Sequence, residues 1–170
     1  TRYSFPADLM VFDELPKTEP ELRAKFARDR EILDDYAREH PLDPRWWYYL
    51  GDTCENMGDI QEAIEAFEQC WSLDGWDEES AWAAYRAASL WVRLDDYKEA
   101  IASCTDGLQR HPGVAELYWL AGWCCYQLGR YEHAIRWGRQ AIAAVRGVGG
   151  LKDRIGFRYP PALFEGPYDV

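Results

Sequence analysis

Apolar and small residues return every three or four positions along most of this chain, in seven blocks separated by short polar or glycine-containing turns. Thr18-Glu19-Pro20-Glu21 is a capping box with proline in the first turn, so a helix is expected from there to about His40, with Phe26, Leu33 and Tyr36 on its buried stripe. Asp43-Pro44 supplies an N-cap and an N1 proline for a helix over 44–57. Further helices are expected over 60–73, 77–94, 96–110, 115–128 and 131–146, and Gly147-Val148-Gly149-Gly150 stops the last one.

The blocks pair in a regular register. Trp47, Leu50 and Gly51 on one helix face Ala63 and Phe67 on the next, the small residues letting the two helices approach and the large ones filling the space between them. Ala100 and Ala134, each followed by Ile, lie 34 residues apart, after the turns Asp95-Asp96-Tyr97 and Gly129-Arg130-Tyr131. Ala63-Ile64 precedes Ala100 by 37 residues, which places three extra residues in Asp74-Gly75-Trp76-Asp77 and alters the stacking there. Copy two uses Ala84, Ala88 and Trp91, and copy three uses Tyr118, Gly122, Tyr131, Ala134 and Ala141. Gly138 replaces Phe67 in copy three, which predicts thin packing. This pattern resembles the tetratricopeptide repeat. It implies an all-α, tetratricopeptide-like solenoid of about three helix pairs over 18–146, with the first helix as an N-terminal cap. Residues 1–17, with apolar Leu9-Met10-Val11-Phe12, read as a strand or extended arm leading from an upstream domain, and 147–170 as an extended tail packed on the last repeat. Thr1 in place of an initiator Met, with no signal or targeting sequence, points to a processed or excised chain.

At 170 residues and 48% hydrophobic the chain can bury one sizeable core, and it has no apolar run long enough to span a bilayer. Cys54, Cys70, Cys104, Cys124 and Cys125 fall at inward positions without paired metal-ligand spacing, which fits reduced thiols in a cytoplasmic protein. Residues 1–80 carry 21 acidic and 8 basic side chains, and residues 81–170 carry 9 and 11. The front half repels nucleic acid. The far end, with Arg130, Arg136, Arg139, Arg146, Lys152, Arg154 and Arg158, reads as solvated helix surface or as a patch for an acidic partner.

No catalytic constellation is evident, and neither a cofactor nor a metal is expected. His40 and His111 precede prolines at helix ends, where a cation suits the helix dipole, and His133 sits on an exposed turn beside Glu132. Asp77-Glu78-Glu79 fits the ordinary preference for acids at a helix N-terminus. The glycines of 147–150 lack the strand, Lys-Ser/Thr pair and helix start of a phosphate loop. Binding is better supplied. The first helix of each pair lines the concave face, which assigns Tyr48, Asp52 and Glu55 to it from copy one, and Trp82, Tyr85, Ser89 and Arg93 from copy two. Copy three contributes Glu116, Trp119, Trp123, Tyr126 and Gln127. Rings grouped on one face, separate from those of the core, mark an interaction site. Its occupant is a protein, peptide or glycan partner, the chain's own arm or tail, or another copy.

A narrower resemblance rests on Lys25-Phe26-Ala27-Arg28-Asp29-Arg30, Asp43-Pro44-Arg45, Tyr49-Leu50-Gly51 and Gly58-Asp59-Ile60-Gln61-Glu62-Ala63-Ile64. Gly75-Trp76-Asp77-Glu78-Glu79, its most specific element, and a tail containing Tyr159-Pro160-Pro161, Leu163-Phe164-Glu165 and Tyr168 complete it. Over residues 20–168 the chain resembles the C-terminal helical repeats of bacterial and phage family 2 glycosyltransferases. The resemblance implies an upstream nucleotide-sugar transferase domain bearing an Asp-x-Asp motif, which these 170 residues do not contain. These residues are then non-catalytic. They position a protein or glycan acceptor or join subunits into a homo-oligomer; a free-standing adaptor is the other reading.

Overall fold

The computed structural model describes residues 18–73 and 75–147. Among them the chain forms seven α-helices and no strand: α1 (Glu19–Glu39), α2 (Pro44–Met57), α3 (Ile60–Ser72), α4 (Asp77–Arg93), α5 (Tyr97–Arg110), α6 (Ala115–Gln127) and α7 (Tyr131–Gly147). The expected exit segment and extended tail lie outside the described residues.

The helix ends are set by local chemistry. The backbone N–H and the hydroxyl of Thr18 each donate to Glu21 Oε2 at 2.8 Å, closing the box that starts α1. Asp43 Oδ1 accepts from the Arg45 N–H at 3.0 Å, and Asp96 Oδ1 accepts from the Glu99 N–H at 3.3 Å. In all three repeats the turn between the paired helices passes through the left-handed region at the same register position, with φ of 87° at Gly58, 58° at Asp95 and 69° at Gly129.

Consecutive helices pack on one another from α1 to α7. A Cβ added to Gly51 would lie 2.8 Å from the Phe67 ring, so α2 and α3 close only because no side chain stands there. Gly107 does the same for α5, where a Cβ would meet Ala84 Cβ at 2.8 Å. In copy three, a Cβ on Gly122 would lie 3.6 Å from the backbone nitrogen of Gly138. The thin packing expected at Gly138 is thus closed by the two helix backbones drawing together, and Gly138 is buried. Gly75, in the inserted junction, lies so close to Pro44 that a Cβ would fall 2.5 Å from the proline ring.

Two core clusters result. One holds Leu50, Cys54, Ile64, Phe67 and Cys70, and the other Ala84, Ala88, Cys104, Leu117 and Cys124. Trp71, Trp82 and Trp91 pack against both and join them into one stack. Tyr36 departs from expectation. It is largely exposed and stacks on Trp46 at 4.6 Å, and Ala37 takes the buried place beside it.

Candidate interaction face

Helix α4 touches α2 on one side and α6 on the other, so the first helices of the three pairs form a continuous face. Of the rings assigned to it, Tyr48 and Tyr85 are only 8% exposed and belong to the core. Tyr48 meets the Phe67 ring edge-on at 5.8 Å, and Tyr85 stacks on Trp82 at 4.8 Å. Trp82, Trp119 and Trp123 are half-buried with one side against the core clusters, and Trp123 meets Tyr97 of α5 edge-on at 5.8 Å. Tyr126 is 49% exposed, with Tyr131 beside it at 5.6 Å, and Gln127 is exposed at the end of α6. Glu116 is buried. The expected separation of groove rings from core rings therefore fails for Tyr48 and Tyr85.

The polar members converge more tightly than their spacing indicated. Arg86, absent from the sequence-based set, donates to Asp52 Oδ1 at 2.9 Å and to Glu55 Oε2 at 2.6 Å and 2.9 Å, through Nη2 and Nε. Arg93 reaches Glu55 Oε1 at 3.3 Å. The Arg86 guanidinium also lies over the Phe67 ring, 4.9 Å from its centroid. These four side chains tie α2 to α4 across the face. A signal was available: Trp82, Arg86, Ser89 and Arg93 fall on one stripe of α4 at i, i+4, i+7 and i+11. The Ser89 hydroxyl donates to the Tyr85 carbonyl of its own helix at 2.8 Å.

Burial also acts on several thiol, imidazole and carboxyl groups of the stack. Burial pushes the Cys70 and Cys124 thiols up to about 12 and Cys104 well above its ordinary value, which suppresses the thiolate. All five cysteines are free and buried. His111 corrects the expectation of a helix-end cation. Burial lowers its pKa, and Nε2 lies 3.1 Å from Ser80 Oγ, which in turn donates to the Trp71 carbonyl at 3.3 Å. Glu79 is buried in the first turn of α4. Desolvation raises its pKa, with Arg45 Nε at 3.9 Å opposing the shift. Among the described residues no three His, Cys, Asp or Glu side chains group as metal ligands, and no helix is long and apolar enough to cross a membrane.

The sequence matches the Tetratricopeptide repeat family over residues 44–74 and again over 85–148. A 68-residue stretch is 38% identical to Essential for maintenance of the cell wall protein 1 of Saccharomyces cerevisiae, covering 40% of this chain and 7% of that protein. The fold is similar to the crystal structure of MamA, with a TM-score of 0.59, 20% identity, and coverage of 79% of this chain and 78% of that one. It is also similar to PcrH in complex with the chaperone binding region of PopB, with a TM-score of 0.53, 22% identity, and coverage of 62% and 83%. YrrB, described as a TPR protein with an unusual peptide-binding site, gives a TM-score of 0.56 at 15% identity over 74% and 63%.

Proposed function

From the premise that residues 44–74 and 85–148 are tetratricopeptide repeats, we propose that this chain is a non-catalytic interaction module that holds a peptide or protein segment across α2, α4 and α6. The observation that carries this is α6 itself. Its sequence, AELYWLAGWCCYQ, is apolar round nearly the whole helix, as suits a helix packed on α4, α5 and α7, yet it leaves Tyr126 49% exposed and Trp119 and Trp123 only half-buried. The surface these three rings leave open is what a partner would cover, and rigid rings bury much area at small entropic cost. The Asp52, Glu55, Arg86 and Arg93 group beside them supplies orienting polar contacts. PcrH, which shares the fold, is seen with a segment of PopB, and YrrB is described with a peptide-binding site.

The test is a peptide selected by display against the full chain and titrated calorimetrically. Tyr126→Ala is expected to weaken binding by about tenfold, the range of a ring at an interface centre. A Gln109→Ala control, on an exposed position of α5, is expected to leave it unchanged. Parent-like affinity in both Tyr126→Ala and Trp119→Ala would contradict the assigned face.

Within this reading the module serves a cytoplasmic family 2 glycosyltransferase by presenting its protein or glycan acceptor, which raises local acceptor concentration without touching the bond being made. The junction Gly75-Trp76-Asp77-Glu78-Glu79 supports that parent, and an Asp-x-Asp motif between strands upstream of Thr1 is the expected finding. Its absence would leave a free-standing adaptor. Charge favours a second reading, an oligomerisation scaffold. Residues 19–72 carry 14 acidic and 6 basic side chains, whereas α7 has Glu132 against Arg136, Arg139 and Arg146. Assembly of that kind weakens with salt, and sedimentation as a monomer at low and high salt alike would eliminate it.

A further inference from the structure

On the other side of α2 from Asp52 and Glu55, α1 and α3 flank a cavity of about 330 Å³. Its apolar part is Leu50 and Trp47 of α2 and Ala66 of α3, whose small side chain leaves the depth. The Trp47 indole N–H donates to the Pro41 carbonyl at 3.0 Å, so the ring is fixed before anything arrives. Around the apolar part stand Asp34 and the guanidinium of Arg30 from α1, and Glu62, Glu65 and Gln69 of α3. Arg30 is already paired with Asp59, and its second nitrogen lies 3.9 Å from Glu62. Asp34 is paired with Arg38 of its own helix, and Glu65 accepts from Gln61 at 3.3 Å. The Asp34–Arg38 and Gln61–Glu65 contacts are exposed, where such pairs contribute little and exchange readily, while Arg30–Asp59 is part-buried.

We propose that this groove is a second binding site, taking a lysine- or arginine-bearing segment of a partner protein. The argument is charge complementarity on an apolar floor. A long basic side chain has a hydrocarbon stem and a cationic head. Here the stem lies against the half-buried face of Trp47, over the buried Leu50 and Ala66, and the head reaches the carboxylates of Asp34, Glu62 and Glu65. An aromatic wall adds attraction for the cation. The surrounding helices reinforce the sign, since residues 19–72 hold 14 acidic side chains against 6 basic ones. An acidic or neutral segment gains only the floor. The groove lies apart from the face of α2, α4 and α6, so its occupancy does not depend on that face.

The experiment uses the full chain and a short amidated peptide of alternating alanine and lysine, compared with the same peptide carrying glutamine for lysine. Affinity is read by fluorescence anisotropy, and location by backbone and indole NMR shifts. The lysine peptide is expected to bind with shifts at Trp47, Leu50 and Ala66, and to weaken as salt rises. The double variant Glu62→Gln, Glu65→Gln alters two exposed side chains and leaves the core alone, and it is expected to bind about tenfold more weakly. Tyr126→Ala is expected to bind as the parent does. Equal affinity for both peptides, undiminished binding by the double variant, or shifts confined to α4 and α6 would overturn the site. Self-association that the double variant abolishes, with no peptide binding, would overturn the partner in favour of a second copy.

Discussion

At the scale of single residues, the contact between α2 and α3 is set by what Gly51 lacks. Its absent side chain leaves the room that the Phe67 ring fills, 2.8 Å from where a Cβ would stand. In copy two the same two places hold Ala88 and Cys104, a larger residue against a smaller one. Gly51→Ala is therefore expected to lower stability by about 1–2 kcal/mol, overpacking outweighing the helix-propensity gain of alanine. Adding Phe67→Leu is expected to restore part of it. Urea midpoints with an unchanged slope measure both, and a Gly51→Ala protein more stable than the parent would refute the steric account. The same scale explains why the ring assignments were only partly legible. Tyr48 and Tyr49 sit about 100° apart on α2, and both are tyrosine. Which one turns into the core depends on Phe67 from α3, a partner that the periodicity of α2 does not encode. Tyr48 takes the core place, and burial pushes its hydroxyl up to about 12, while Tyr49 remains 44% exposed.

At the scale of helices, boundaries were legible almost to the residue because caps are local chemistry. Thr18 with Glu21, Asp43 with Pro44, and the left-handed turns at Gly58, Asp95 and Gly129 each act within a few residues of sequence. Contacts between helices were less legible. Arg86 meets Asp52 and Glu55 across 34 and 31 residues, and His111 meets Ser80 across 31. That last contact docks the end of α5 onto α4 and gives a pH dependence. Burial depresses the His111 pKa below its ordinary 6.5, so the unfolded chain takes up the proton first as pH falls. Stability from this junction is present above 6.5 and declines as pH falls through and below it. Glu79 and Glu68, whose pKa values desolvation raises, act in the opposite sense and favour the fold as they protonate toward 4.5. Comparing parent with His111→Gln between pH 8 and 5 isolates the histidine. The variant is expected to lose less stability on acidification, and an identical pH profile would show that the junction does not titrate.

At the scale of the whole molecule, three helix pairs and a leading helix make a stack in which each element touches chiefly its neighbours in the chain. Such a stack has two long sides. One joins α2, α4 and α6, with a charged belt near its start and half-buried rings toward its end. The other opens between α1 and α3 as a groove ringed by carboxylates. The first is the module's proposed working surface, and the most direct test is to map a display-selected peptide onto the protein by amide and indole NMR shifts. The account predicts perturbations gathered at Asp52, Trp82, Ser89, Trp119, Trp123 and Tyr126. Perturbations gathered on α5 and α7, with those six positions unmoved at saturation, would contradict it.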